Sequence, residues 1–250
     1  MTPHVHRIRF EQGLVGGRSI ARDGDALVVV VDVLSFSTCV SVALDGGIEV
    51  VPARWRDERA SALAEEHDAV LAGPRSGAGL SLSPASVRRA EGVRRLVLPS
   101  PNGATLSAEL AQHGTVIAGC FRNATAVARV CAAHLARGAD AIVAVVAAGE
   151  RWTDDSLRPA WEDVWGAGAI LAALGRDDLA SPEALAAADA FRAASVSGLP
   201  LAEVASGREL VEQGFAEDVA IAAELDASVG VPRLVDGVFT DQGNARSPHP

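Results

Sequence analysis

The chain has no tyrosine, and aromatic residues of any kind occupy only 4% of its 250 positions. Since 49% of the residues are hydrophobic, the interior has to be built from Ala, Val and Leu rather than from rings. Cysteine is scarce as well. Cys39, Cys120 and Cys131 stand far apart, without the paired short spacings of a disulfide framework or a zinc site, and they read as buried reduced thiols. Basic charge is in deficit, with 22 Lys and Arg against 32 Asp and Glu and a formal net charge of -10, which excludes the basic stripe that a nucleic-acid backbone requires. A small anionic ligand is not excluded. Long apolar runs are missing too: the start, MTPHVHRIRFEQG, lacks the apolar core of a signal peptide, and no membrane-length segment follows. A cytoplasmic protein without membrane or nucleic-acid partners is expected.

What is present is an alternation of strand and helix signals. Residues 5–10, 27–32, 48–52, 69–73, 94–98, 115–118 and 140–147 read as strands. Residues 37–45, 56–66, 103–112 and 124–137, together with a segment starting at Trp161, read as helices. This order implies an α/β fold with a mainly parallel sheet in three α/β/α layers. The Gly-, Ser- and Pro-rich stretch 74–92 and the polar stretch 149–160 read as loops. Alanine-rich helices are expected over 183–195, 201–206 and 208–226, and a last strand near 233–239. One α/β unit would span the chain, with lobes at about 1–95 and 96–240 and a flexible tail over 241–250. The apolar, alanine-rich helices would suit a homodimer.

Several polar residues follow apolar runs. Asp32 comes directly after Val28 to Val31, at the carboxyl end of a buried strand, where ligands collect in open α/β sheets. Such an acid either caps the next turn or faces the ligand crevice. Glu162 and Asp163 open an apolar helix, where acids meet the positive end of the helix dipole, just after a loop carrying Arg151, Asp154, Asp155 and Arg158. Oxygens from Asp32, Glu162 and Asp163 would suit Mg²⁺. Asn102, next to Gly103, and Asn123 each precede a helix; they can serve as N-caps, and the free N–H groups at such a terminus also suit a phosphate or sulfonate. Glu150 follows another apolar run, and Arg75 and Arg151 offer planar forks for an anion.

Familiar phosphate chemistries can be tested against these residues. Leu34 occupies the position two residues after Asp32 where a haloacid-dehalogenase-like phosphatase has a second acid. GCFRNAT does not form the phosphate loop of a cysteine phosphatase, and no nucleotide P-loop is present. Metal-activated water attacking a bound phosphate ester remains.

Asp32 in VDVL, Asn102-Gly103, Gly119 to Asn123, Glu162-Asp163 with GAGAI, and Val231-Pro232 occur in an order that resembles the 2-phosphosulfolactate phosphatase (ComB-like) family over about residues 5–240. The resemblance implies a Mg²⁺-dependent acid phosphatase that converts 2-phospho-3-sulfolactate to 3-sulfolactate and phosphate, on a fold of two related lobes. Asp32, Arg151 and Glu162 would be catalytic. Asp32, Glu162 and Asp163 would hold the metal, and Ser35, Arg75, Asn102, Gly103, Asn123 and Glu150 would bind substrate. The chain departs from the family pattern at three places. Ser35 stands at an Arg position, Gly73-Pro74-Arg75 replaces Gly-Glu-Arg, and Ser81-Leu82-Ser83-Pro84 replaces Gly-Asn-Ser-Pro. Arg151 and Arg158 are expected to compensate, Arg151 more than Arg158. A phosphatase for another phosphorylated hydroxy acid and a non-catalytic anion-binding protein are the competing readings.

Overall fold

The structure, a computed structural model, describes residues 6–22, 25–77 and 79–241. The first part of the chain runs β1 (Ile8–Gln12), α1 (Gly13–Ile20), β2 (Asp25–Val31), α2 (Phe36–Asp45), β3 (Glu49–Ala53), α3 (Glu58–Glu66) and β4 (Val70–Leu71). Next come α4 (Pro84–Arg88), β5 (Arg95–Pro99), α5 (Gly103–Leu110), β6 (Thr115–Gly119), α6 (Ala124–Leu135) and β7 (Ala141–Ala147). A small hairpin, β8 (Glu150–Arg151) and β9 (Leu157–Arg158), leads into α7 (Trp161–Leu174) and α8 (Pro182–Val196). The chain closes with α9 (Ala205–Glu212), α10 (Ala216–Ala222), β10 (Pro232–Val235) and β11 (Val238–Asp241).

Nine strands form one sheet in the order β1-β7-β2-β6-β10-β11-β3-β5-β4. The strands β1, β7, β2 and β6 are mutually parallel, as are β3, β5 and β4. The antiparallel pair β10–β11 lies between these blocks, pairing with β6 on one side and β3 on the other. The α/β class with a mainly parallel sheet is as the sequence predicts.

The valine run explains the layers. Alternate side chains of a strand point to opposite faces, so a strand covered on both sides must be apolar throughout. Leu27, Val29 and Val31 enter the core beneath α6, α7 and α8, and Val28 and Val30 enter the core beneath α2 and α5. The register of β7 repeats this division, with Val143 and Val145 on one face and Ala144 and Val146 on the other. The few rings are placed at joints. Phe239 of β11 and Phe36 of α2 are both fully buried and meet edge to face, 6.0 Å between centroids. The three cysteines are buried and unpaired, as expected.

Four local differences from the sequence expectations have physical causes. The segment GLVGGRSI gives no helical signal because glycine disfavours helix, yet it forms α1, whose Gly17 and Ile20 are buried. Within the loop 74–92, Ser83 caps α4 through the Ser86 amide with Pro84 at its first position. Gly214, at φ +90°, separates α9 from α10 where one long helix is expected. Asp236 and Gly237 both have positive φ, the requirement of a two-residue hairpin turn, so the expected single last strand is the pair β10 and β11. Of the expected tail, Asp241 ends β11 and 242–250 lie outside the described residues. Among the described residues no helix is long and apolar enough to cross a membrane. Because Phe239 anchors the hairpin that joins the two blocks, Phe239→Ala is expected to cost about 3–5 kcal/mol in urea denaturation.

Candidate active site

The buried carboxylate of Asp32 follows β2 and accepts two backbone N–H groups, Phe36 on Oδ1 at 3.0 Å and Gly103 on Oδ2 at 2.8 Å. These are the first residues of α2 and α5, so one carboxylate satisfies orphan donors of two helices and meets the positive end of both. Ser37 secures the strand end, accepting from the Asp32 amide at 3.1 Å and donating to the Val30 carbonyl at 3.0 Å. Position 103 has no room for a side chain. A Cβ there would stand 2.4 Å from Cδ1 of Phe36 and 2.7 Å from Oδ2 of Asp32.

Asp163 makes a similar clamp in the first turn of α7. Its Oδ1 accepts from the Val33 amide at 2.7 Å and its Oδ2 from the Gly149 amide at 2.8 Å, stitching the helix to the ends of β2 and β7. Glu162, also buried, lies near Ser206 of α9, whose hydroxyl favours its ionised form. Glu150 accepts from Nδ2 of Asn102 at 2.9 Å.

These acids oppose one another's ionisation. Burial raises Asp32 to about 6, with the Glu162 charge adding to the rise and the two amides acting against it. Burial, then the charges of Asp32 and Glu162, lifts Glu150 to about 7. Glu162 and Asp163 are both held above the ordinary carboxylate range, chiefly by burial. A desolvated cluster of one sign is a common mark of a functional site.

Over Asp32 lies a cavity of 210 Å³. Asp32, Glu150 and Glu209 contribute acids to its wall, Arg56 and Arg75 contribute cations, and Ser35, Ser100, Asn102, Ser206 and Gln213 contribute neutral polar groups. Its contents suit a small anion together with a hard cation. The sequence profile of the 2-phosphosulpholactate phosphatase family matches residues 18–237. A protein of Deinococcus radiodurans named probable 2-phosphosulfolactate phosphatase is 32% identical over 233 residues, 88% of this chain and 92% of the relative. The chain belongs to the 2-phosphosulfolactate phosphatase family.

Two of the positions where the chain departs from the expected pattern, Ser35 and Leu82, meet at Arg75. Arg75 donates to Asp218 at 2.7 Å, to the Ser35 hydroxyl at 3.1 Å and to the Leu82 carbonyl, and it lies over the Phe215 ring. Asp218, 1% exposed, also accepts from the Ser83 hydroxyl at 2.6 Å and the Ala85 amide at 3.1 Å. Ser35 and Ser83 therefore help hold Arg75 in place in this member of the family.

The expected site residues separate into groups. Asp32, Ser35, Arg75, Asn102 and Glu150 line the cavity. Gly103 and Asp163 hold its backbone, and Glu162 stands behind Ser206. Asn123 is fully buried away from the cavity, where Oδ1 takes the Cys120 amide at 2.9 Å and Nδ2 reaches the carbonyls of Ala118 and Gly230. Arg151 pairs with Asp155 at 2.9 Å and lines a neighbouring 380 Å³ cavity beyond the Asn102–Glu150 pair. Arg158 also lies outside the lining of the Asp32 cavity; it pairs with Glu209 at 2.8 Å, and its charge favours the ionised forms of Glu150 and Glu162.

Sequence reasoning missed Arg56, Ser206, Glu209 and Asp218. Arg56 follows β3 in the string RWRDER, which reads as a solvated helix start, and the other three come from alanine-rich helices without a motif. Among the described residues no three His, Cys, Asp or Glu side chains form a ready-made metal cage. A hard ion that keeps its waters and takes substrate oxygens needs only one or two carboxylates; of the three expected ligands Asp32 lines the cavity, Asp163 has both oxygens on backbone amides, and Glu162 lies outside the lining. Arg75→Ala should cost about 3–5 kcal/mol in urea denaturation, because it leaves Asp218 buried and unpaired. Arg151→Ala, which breaks a largely exposed pair, should cost at most about 1 kcal/mol.

Proposed function

We propose that the protein is a Mg²⁺-dependent phosphatase that hydrolyses a small anionic phosphate monoester, 2-phospho-3-sulfolactate, to 3-sulfolactate and phosphate. The observation that carries this reading is the raised carboxyl cluster at the end of β2, facing two arginines across a cavity of small-molecule size, in a member of this family. Asp32 would hold the ion, with Glu162 reaching it through water, and the ion when bound would offset negative charge on the phosphoryl oxygens. Asp163 fixes the loops that carry Asp32 and Glu150, and Asn102 orients Glu150.

The difficult part of such a hydrolysis is the departure of an alkoxide, a poor leaving group that needs a proton. Glu150 suits that task because burial lifts it to about 7, and it therefore keeps its proton in mildly acidic solution. A water seated near Asp32 attacks phosphorus and passes one of its protons to a phosphoryl oxygen of the departing phosphate, the bond to the ester oxygen breaks, and the Glu150 proton passes to that oxygen; Glu150 then regains a proton from solvent.

Glu150 sets the pH dependence: it must be protonated, so turnover falls as pH passes about 7, whereas Asp32, raised by burial in the absence of the ion, would be kept ionised once it holds the ion. Glu150→Gln should remove the falling limb and slow the sulfolactate ester about 10²- to 10⁴-fold, with little effect on an aryl phosphate, whose phenoxide leaves unaided.

The direct test is phosphate release from 2-phosphosulfolactate, other phosphorylated hydroxy acids and an aryl phosphate, with Mg²⁺ and with chelator. Release that requires the metal and is lost in Asp32→Asn is expected. Ser35, at a family Arg position, favours a second reading in which another phosphorylated hydroxy acid is the better substrate. Preference within the panel decides between them, and absence of release from every ester by folded protein would leave an anion-binding protein.

A further inference from the structure

The two arginines on the wall of the Asp32 cavity are in different conditions. Arg75 is committed: Nη1 is on Asp218 at 2.7 Å, Nη2 is shared between the Ser35 hydroxyl and the Leu82 carbonyl, and the guanidinium lies 5.1 Å from the Phe215 centroid. Its charge is balanced by a buried carboxylate. Arg56 is exposed at the rim and has no partner among the described residues.

The acids that would ordinarily neutralise Arg56 are engaged elsewhere. Its neighbour Asp57 takes the guanidinium of Arg59 through both oxygens, at 2.6 to 3.1 Å, and caps α3 through the Arg59 amide. Glu209, on the same cavity wall, is held by both terminal nitrogens of Arg158, at 2.8 and 3.2 Å. A planar fork with all its donors free, beside a cavity in a protein of net charge -10, is a local attractor for an oxyanion.

We infer that Arg56 is a specificity-determining residue: it grips the second anionic group of the substrate, a sulfonate or carboxylate, while the phosphate lies against Asp32. This rests on the phosphatase reading and adds to it the reason why an ester with a second negative charge is preferred over a plain one. Arg75, already neutralised, shapes the cavity and contributes little net charge to substrate selection.

The test compares wild type, Arg56→Ala and Arg56→Lys on 2-phosphosulfolactate, on 2-phospholactate, which has a carboxylate but no sulfonate, and on an aryl phosphate with neither. Arg56→Ala is expected to raise KM for 2-phosphosulfolactate about 10- to 100-fold with kcat little changed, the loss of a charge-assisted pair. KM for the aryl phosphate should stay within about twofold, and Arg56→Lys should recover part of the loss, as a point charge without the fork. An equal rise for 2-phospholactate identifies the carboxylate as the group gripped, and an unchanged value identifies the sulfonate. A similar change on all three substrates, or none on any, overturns the inference. If wild type releases no phosphate from any ester, the phosphatase reading fails separately, and calorimetric binding of 3-sulfolactate decides the role of Arg56. Binding weakened about tenfold or more in Arg56→Ala supports it; equal binding, or none to wild type, overturns it.

Discussion

The site depends on one carboxylate that takes backbone N–H groups from two helices at once. Asp32 binds the first amides of α2 and α5, which belong to segments far apart in the chain, and so fixes the angle at which both helices leave the sheet edge. This arrangement needs a strand end buried on both faces and glycine at position 103, where a Cβ would strike both Phe36 and Asp32. Asp163 repeats the device from α7, and together the two acids hold the loops after β2, β5 and β7 around one cavity. These interactions stabilise the ionised acids, and burial opposes them. For Asp32 burial outweighs the amides, which is why it titrates near neutrality rather than near the usual carboxylate range.

The distribution of cations follows from the same electrostatics. The chain has no lysine, so its side-chain cations other than histidine are planar guanidinium groups suited to paired contacts. Two of those around the site are spent on structure, Arg75 on Asp218 and Arg158 on Glu209, and the buried Arg122 is likewise held by Asp45 and Glu224. A site with four raised carboxyls and mostly committed arginines retains a local excess of negative charge. A bound divalent cation would offset that excess, which is how an acidic protein can receive an acidic substrate.

The positions of Asp32, Glu162 and Asp163 were legible because local order alone placed them. An uninterrupted valine run has to be a buried strand, and acids at the start of an apolar helix lie at its amino terminus whatever surrounds it. Asn123 and Arg151 show where that logic stops. Each follows an apolar run as Asn102 and Glu150 do, but Asn123 turns inward to close the backbone around Cys120, and Arg151 points across the β8–β9 hairpin toward Asp155. Which way a side chain leaves a strand end depends on a loop conformation that no periodicity encodes. Arg56, Glu209 and Asp218 gave even less sign, since charged residues in or beside alanine-rich helices ordinarily face solvent.

By itself, then, the sequence determined the α/β class, the succession of most elements, and the residues that stand at strand and helix ends, because hydrophobic period and turn chemistry are local properties. Only the tertiary structure decided that the β10–β11 hairpin joins two parallel blocks, that Asp218 meets Arg75 across 143 positions, and that Asn102 lines the cavity while Asn123 is buried away from it. Those pairings arise when distant segments pack. Their energies come from burial and charge at contacts that do not exist until the sheet is assembled.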